Sequence, residues 1–107
     1  MTIKIRGKTD ATLDSVKKTL LAYDGQHPRA EIELYRRNSI SVRIRVIDPC
    51  FAGLRKSERH DLVWKYLENL PHQIQSDISM VVLLSPEEVQ RSLANLEFED
   101  PSPSLIR

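Results

Sequence analysis

The sequence predicts an α+β domain built as a two-layer sandwich, with helices covering one face of a small sheet. Apolar and polar residues alternate over residues 3–6 and 40–46, which is the period-two pattern of half-buried strands. Apolar residues recur every three or four positions over 13–23 and 62–70, as they do in amphipathic helices. The predicted order of elements is β-α-β-β-α-(α)-β-α, and two layers bury the apolar faces of both kinds of element.

The first 26 residues are predicted to form a strand and a helix. Residues 2–6 alternate as a short strand, which Gly7 stops. The helix is predicted over 13–24, with Thr12 as its N-cap and Gly25 at its end.

Residues 31–46 are predicted to form a β-hairpin. Matching the apolar sets of the two strands places the loop around Asn38, a residue type that tolerates positive φ. The apolar face then consists of Ile32, Leu34, Ile40, Val42, Ile44 and Val46. On the polar face this register pairs two glutamates with two arginines, Glu33 with Arg43 and Glu31 with Arg45.

The second half of the chain is predicted to be mostly helical around one strand. Ser57 caps a helix over 58–70, which Pro71 ends, and a short helical turn follows over 72–78. The apolar residues 79–84 form a buried strand.

A last helix is predicted to begin at the capping box of residues 85–88, with proline at its first position. Its apolar stripe consists of Val89, Leu93 and Leu96. Residues 97–107 are acidic and then rich in Pro and Ser, which is typical of a flexible tail. One domain is therefore predicted over residues 1–96.

Composition excludes several classes of protein. The chain has 107 residues, and its 16 Lys+Arg against 15 Asp+Glu leave a net charge of +1, unlike proteins that coat nucleic acid. The one cysteine, Cys50, excludes an intrachain disulfide framework and an all-cysteine zinc site. No apolar run reaches about 18 residues and residues 1–10 have no signal core, so a cytoplasmic protein without membrane association is predicted.

Two blocks of the sequence resemble the BolA family. Residues 51–63, Phe-Ala-Gly-Leu-Arg-Lys-Ser-Glu-Arg-His-Asp-Leu-Val, resemble its signature of a Phe-x-Gly turn followed by Arg-His and an apolar helix. Residues 85–88, Ser-Pro-Glu-Glu, resemble its common Thr-Pro-Glu-Glu. The resemblance implies a class II KH-like core, αββααβα, with residues 2–6 as an extra strand. It also implies a non-enzymatic interaction or regulatory module.

The resemblance further implies a partner and a metal ligand. BolA proteins that share an iron–sulfur cluster with a monothiol glutaredoxin use the histidine of the Arg-His motif, which corresponds to His60. Their second ligand, His or Cys, lies in the hairpin loop, whereas residues 36–41 here contain neither. No intrinsic cofactor is therefore expected, and any cluster would be shared with the partner. The contact region implied by the motif, with Trp64 added as a residue type common at binding hot spots, is Phe51, Gly53, Arg59, His60 and Trp64.

Cys50 and His60 remain open to other interpretations. Cys50 is a second candidate ligand, a redox thiol beside a helix start, or a small buried apolar residue. His60 is a ligand, a partner contact, or a residue that hydrogen-bonds the preceding loop. A nucleophilic pair of Cys50 and His60 has no evident orienting group, so no enzyme is predicted.

Two alternative functions belong to other classes. The first is a KH-like nucleic-acid-binding module that uses the arginine-rich hairpin, although Glu31 and Glu33 can neutralise part of that face and residues 69–72 lack the glycines of a Gly-x-x-Gly loop. Its arginines are Arg36, Arg37, Arg43 and Arg45, with Arg29 nearby. The second alternative is a ligand-free homo-oligomer that associates through a strand edge or the tail.

Overall fold

The structure is a computed structural model that describes residues 2–100, and these form an α+β domain around a four-stranded mixed sheet. The strands lie in the order β1-β2-β3-β4. β1 pairs with β2 in parallel, β2 with β3 antiparallel, and β3 with β4 in parallel. Their bounds are Thr2–Ile5, Glu31–Asn38, Ser41–Ile47 and Ile78–Leu84. Within the described residues, β1 and β4 are therefore the two edge strands.

The α-helices of residues 2–100 are α1, α2, α3 and α4, and two short 3₁₀-helices accompany them. The α-helices span Ala11–Gln26, Lys56–Leu67, His72–Asp77 and Leu93–Glu99, and the 3₁₀-helices span Pro49–Phe51 and Pro86–Arg91. The predicted order of strands and α-helices is confirmed. The predicted strands at the start of the chain and before the capping box are confirmed within one residue at each end.

α1 is longer than the predicted 13–24, and its N-cap is Asp10 rather than Thr12. The Asp10 side chain accepts a hydrogen bond from the Leu13 N–H at 2.9 Å, which satisfies one of the free N–H groups of the first turn. Gly25 lies inside the helix, and His27 ends it.

The predicted register of the hairpin is wrong by two residues. Glu33 lies opposite Arg45 and Tyr35 opposite Arg43, whereas Glu31 lies opposite Ile47. A register shift between Arg36 and Asn38 takes up an extra residue in β2.

The turn of the hairpin also differs from the prediction. Asn38 belongs to β2, and among the described residues positive φ occurs only at glycines. The Asn38 side chain accepts a hydrogen bond from the Ile40 N–H at 3.0 Å, which closes the turn locally. Ile40 consequently lies at the turn with 73% of its surface exposed, and it is not part of the predicted apolar face.

α2 begins two residues before the predicted helix and ends three residues before its predicted end. Its N-cap is Arg55, not Ser57, and the Glu58 carboxylate accepts a hydrogen bond from the Arg55 N–H at 2.8 Å. Leu70 follows the helix but remains buried in the core.

The main core lies between the sheet and the pair α1 and α2. Leu13, Val16 and Leu20 of α1 and Val63 and Leu67 of α2 are fully buried there. They pack against apolar residues of β2 and β3, namely Ile32, Leu34, Val42, Ile44 and Val46. The apolar faces of the helices and of the sheet are thus buried against each other, as the sequence pattern predicts.

α4 packs on the opposite face of the sheet and corrects the two-layer prediction. Its Phe98 is fully buried in a second cluster with Tyr35, Val82 and Leu84. The predicted stripe of the last helix is wrong, because Leu93 and Leu96 are 81% and 59% exposed. α4 therefore adds a partial third layer.

The last part of the described chain also moves the predicted domain boundary at residue 96. Capping-box residues start a 3₁₀-helix rather than an α-helix, and Ser92 caps α4 by accepting a hydrogen bond from the Asn95 N–H. α4 continues to Glu99, so residues 97–99 belong to the domain and not to a tail. Asp100 is the C-cap of α4, and the remaining residues of the predicted tail, 101–107, lie outside the described residues.

None of the helices in residues 2–100 has the length and apolar character needed to cross a membrane.

Candidate functional site

A groove runs along the outer edge of β4, and we call it the edge groove. α2 contributes Ser57 and His60 to one wall, and Ser92 and Ala94 contribute to the other. Residues 81–84 of β4 line its floor, and its volume is about 370 Å³. The groove therefore combines an edge strand with the histidine of the Arg-His motif.

His60 is exposed on this groove and is held by one aromatic neighbour. Its ring stacks on Trp64 with centroids 5.5 Å apart and an angle of 12° between the rings. The two residues are one helical turn apart, which places them side by side on α2. Stacking uses the face of the imidazole and leaves both ring nitrogens accessible at its edge.

Arg59, the other half of the motif, points into the domain and is only 5% exposed. Its guanidinium donates two hydrogen bonds to the Glu88 carboxylate, at 2.6 and 2.9 Å. It also donates to the backbone oxygens of Leu54 and Leu83, both at 3.0 Å. Four hydrogen bonds within the domain give this guanidinium a structural role. Arg59 also lines the edge groove, and its role as a partner contact stays a prediction.

The Phe-x-Gly part of the motif is structural as well. Phe51 is fully buried in the main core, which leaves it no exposed surface for the predicted partner contact. Gly53 is exposed and has a φ of +82°, a conformation that residues with a side chain rarely adopt. Phe51 thus anchors the loop while Gly53 turns the chain toward α2.

The two sequence blocks that resemble the BolA family meet in the structure. Arg59 comes from the first block and Glu88 from the second, and their ion pair joins the two. Glu88 also accepts a hydrogen bond from the Ser85 N–H at 3.0 Å. The pKa of Glu88 falls to about 2, chiefly because Arg59 donates hydrogen bonds to its ionised form.

α4 covers the arginines that the nucleic-acid alternative needs. Arg43 pairs with Glu97 at 3.1 Å, and Arg45 pairs with Glu33 at 2.9 Å and with Glu99. The exposed fractions of the Arg43 and Arg45 side chains are only 15% and 12%. The sequence suggested neutralisation by Glu31 and Glu33 of the hairpin, and Glu33 does pair with Arg45. α4 supplies two further acidic partners, Glu97 and Glu99.

Arg36 of the same hairpin is ion-paired with Asp10 at 2.7 Å, and the interaction raises the pKa of Arg36 and lowers that of Asp10. Arg37 also has an interaction partner within the protein. The hairpin arginines are thus used inside the domain.

Cys50 lies in a second cavity, away from the edge groove. Its sulfur is 3.6 Å from His27 Nδ1, and that nitrogen is 3.2 Å from Asp48 Oδ2. The surrounding cavity has a volume of about 370 Å³ and is lined by residues 26–29 and 48–50. His60 lines the edge groove instead, so the structure does not unite the two ligands, Cys50 and His60, that the sequence suggested.

The surroundings of the Cys50 sulfur favour its neutral thiol form. Loss of hydration around the sulfur, followed by the hydrogen bond and the negative charge of Asp48, raises the pKa of Cys50 to about 11. The residue itself is exposed, which contradicts its interpretation as a buried apolar side chain. Its N–H donates to Asp48 Oδ1 at 3.0 Å, and Asp48 thereby caps the 3₁₀-helix that contains Cys50.

His27 and Asp48 were not identified by reasoning from the sequence. His27 stands 21 residues before Asp48 in the chain, and no short motif links them. The one sequence feature that they share is their position directly after a secondary-structure element, His27 after α1 and Asp48 after β3. Only the packing of α1 beside the end of β3 brings them together.

Comparison with models of protein families, with curated proteins and with solved structures gives no match to this chain.

Proposed function

We propose that the protein is a non-enzymatic interaction module of BolA-like character, and that the edge groove binds its partner. The observation that carries this proposal is that His60 is exposed, stacks on Trp64 and follows the buried Arg59 in the same helix. Arg59 fixes the first turn of α2 to the loop and to β4, so His60 is presented by a rigid element. Rigid presentation limits the entropy that is lost when a partner binds.

The edge of β4 offers a second element of recognition. The Leu84 carbonyl accepts a hydrogen bond from the Asp48 N–H at 2.9 Å, so Leu84 points its backbone toward the β3 side. Backbone groups alternate along a strand, and those of Val81 and Leu83 therefore point to the outer edge. Arg59 already donates a hydrogen bond to the Leu83 carbonyl. The backbone groups of Val81 are then the ones that face the groove. An extended segment of a partner can add to a strand edge of this kind.

The resemblance selects a monothiol glutaredoxin as the partner to test, with or without a bridged iron–sulfur cluster. In that complex His60 is the ligand that this chain supplies, through a ring nitrogen of its neutral form. Cys50 is not expected to share the cluster, because it lines the other cavity. The partner and its own thiols complete the set of ligands.

Purified monothiol glutaredoxin, with its cluster reconstituted, provides the test. Mixing it with the protein is expected to give a complex on gel filtration and a change in the visible absorption of the cluster. His60→Ala is expected to abolish the spectral change. His72→Ala is the matched control, since His72 is also exposed but begins α3 and does not line the groove.

Two outcomes contradict the proposal. The first is the absence of a complex with either cluster-loaded or cluster-free glutaredoxin. The second is a complex whose spectrum and affinity are the same for His60→Ala and for the unchanged protein.

A further inference from the structure

The cluster of His27, Asp48 and Cys50 presents three donor atoms of the kinds that bind transition metals. All three atoms lie within 4.8 Å of one another. An imidazole nitrogen, a carboxylate oxygen and a thiolate sulfur are the ligands that zinc uses in proteins. These residues take no part in the edge groove or in the function proposed for it.

Two of the three distances between the donors match those around one tetrahedral ion. A zinc ion with Zn–S of about 2.3 Å and Zn–N or Zn–O of about 2.0–2.1 Å separates its ligand atoms by roughly 3.3–3.6 Å. Cys50 Sγ is 3.6 Å from His27 Nδ1, and Nδ1 is 3.2 Å from Asp48 Oδ2. The third pair, Cys50 Sγ and the Asp48 carboxylate, lies within 4.8 Å.

Neighbouring groups hold these ligands in place. The Tyr23 hydroxyl donates to Asp48 Oδ2 at 2.7 Å, and the Tyr23 ring stacks on His27 at 4.1 Å with an angle of 11°. The Cys50 N–H binds the other oxygen of Asp48 at 3.0 Å. Outer groups that orient the ligands in this way are a regular part of metal sites.

The backbone of the site is fixed at both ends. His27 ends α1, and its N–H donates to the Tyr23 and Asp24 carbonyls at 3.0 and 3.2 Å. Asp48 follows β3, and its N–H is bound to Leu84 of β4. The two ligand-bearing segments are therefore held by the fold before any ion binds, which lowers the ordering cost of binding.

The charge and the openness of the site define the ion and its coordination. A thiolate and a carboxylate carry two negative charges together, which match a divalent cation, and the imidazole binds as a neutral group. The cavity in front of the three residues is open to solvent. Three protein ligands with one open position are the pattern of zinc sites that bind a water molecule or an external ligand.

We propose that His27, Asp48 and Cys50 form a site for one Zn²⁺ ion, whose fourth position is open to solvent. Binding replaces the thiol proton of Cys50 with the metal, and the proton is released to the solvent. The site is independent of His60 and of the edge groove.

Titration of the metal-free protein with Zn²⁺ and with Co²⁺ tests this proposal. Zn²⁺ is expected to bind at about one ion per chain in competition with a coloured chelator. Co²⁺ is expected to give the ligand-field bands of a tetrahedral ion and a thiolate-to-cobalt charge-transfer band. Zn²⁺ at a hundredfold excess over its dissociation constant is expected to raise Tm by roughly 10 °C.

Variants of the ligands decide the assignment. Cys50→Ser and His27→Gln are expected to weaken Zn²⁺ binding at least tenfold, and Cys50→Ser is expected to remove the charge-transfer band. His60→Ala and His72→Ala are the controls and are expected to bind as the unchanged protein does. Cys50→Ser changes an exposed side chain, so it tests the site without disturbing the core.

The proposal is overturned if the protein binds less than a tenth of an equivalent of Zn²⁺, or if Cys50→Ser binds as tightly as the unchanged protein. Loss of binding in His60→Ala alone would also overturn it, because the metal would then belong to the edge groove. Failure to bind glutaredoxin has no bearing on this result.

Discussion

At Arg59 a single guanidinium joins segments that are far apart in the sequence. It bonds the loop before α2 through Leu54, the strand β4 through Leu83 and the 3₁₀-helix through Glu88. A buried charge is tolerated only when its hydrogen bonds and its counter-charge are supplied together, as they are here. The Arg-His motif therefore contains one residue for the fold and one for the surface.

Glu88→Gln is expected to lower the free energy of unfolding by roughly 1–2 kcal/mol at pH 7, a value reduced for the partial exposure of Glu88. The pKa of Glu88 is about 2 in the folded protein against 4.5 as its ordinary value. Because the folded pKa is the lower one, the stabilisation is complete above pH 4.5 and is lost as the pH falls toward 2. Urea unfolding between pH 3 and pH 7 measures it.

The difference in stability between Glu88→Gln and the unchanged protein should therefore shrink on acidification. Glu87→Gln is the control, since Glu87 is its exposed neighbour, and its difference should stay within about 0.5 kcal/mol at every pH. A difference for Glu88→Gln that is constant from pH 3 to pH 7 would show that the ion pair with Arg59 is not the cause.

At the scale of single residues, the sequence does not show which side chains are buried and which are exposed. The sequence identifies His60 and Arg59 as neighbours, but it does not tell which of them faces inward. Consecutive helical residues point in directions about 100° apart, and the position of the helix against the sheet selects the buried one. The sequence likewise does not show that Phe51 is buried, because aromatic side chains contribute both to cores and to interfaces.

Among the elements, α4 shows how charge and aromatic packing fix a short helix on a polar face. Two guanidinium groups lie over the Phe98 ring, with Arg6 at 5.1 Å and Arg45 at 4.9 Å from its centroid. Its backbone oxygen also accepts a hydrogen bond from the Tyr35 hydroxyl at 2.9 Å. A helix of 7 residues has little stability alone, so these contacts hold it.

Phe98→Ala is expected to destabilise the protein by about 3–5 kcal/mol, because it removes a fully buried ring and leaves a cavity. Leu93→Ala in the same helix is the matched control, and it should change stability by less than about 0.5 kcal/mol because Leu93 is exposed. Denaturant unfolding of both variants provides the comparison. Equal effects of the two substitutions would mean that α4 is not docked on the sheet as described.

The hairpin illustrates a limit of pattern matching at this scale. The alternation of apolar residues located both strands, since period two survives in any register. The register depends on the bulge between Arg36 and Asn38, whose local hydrogen bonds leave no trace in the apolar pattern. Aligning Ile40 with the core was therefore the error that shifted the polar pairs.

At the scale of the whole molecule, acidic and basic residues are nearly equal in number, and many of them lie close together in the fold. Acidic residues of α4 and of β2 lie against the arginines of the hairpin. The composition gives the net charge of +1, and the fold decides that Arg36, Arg43 and Arg45 of the hairpin are paired with acidic residues. Because acidic groups neutralise the arginines on this sheet face, the positive electrostatic potential that would attract phosphate groups is small there.

Single-stranded RNA and duplex DNA are therefore expected to bind no more tightly than in non-specific association, with a dissociation constant of about 10⁻⁴–10⁻⁶ M or weaker at physiological salt. Fluorescence anisotropy over a range of salt concentrations measures this. The double variant Arg43→Gln and Arg45→Gln should behave as the unchanged protein does. Tight binding that weakens steeply with salt and disappears in the double variant would restore the nucleic-acid alternative.

The sequence by itself determined the kinds of element and their order, because the period of apolar residues and the residues that cap or break helices act locally. It also singled out His60, which is exposed in the structure. Only the tertiary structure decided that α4 covers the arginines and that Arg59 meets Glu88. It alone brought His27 to Asp48 and Cys50. These contacts link residues that are distant in the chain, and their geometry depends on how whole layers pack rather than on any local pattern.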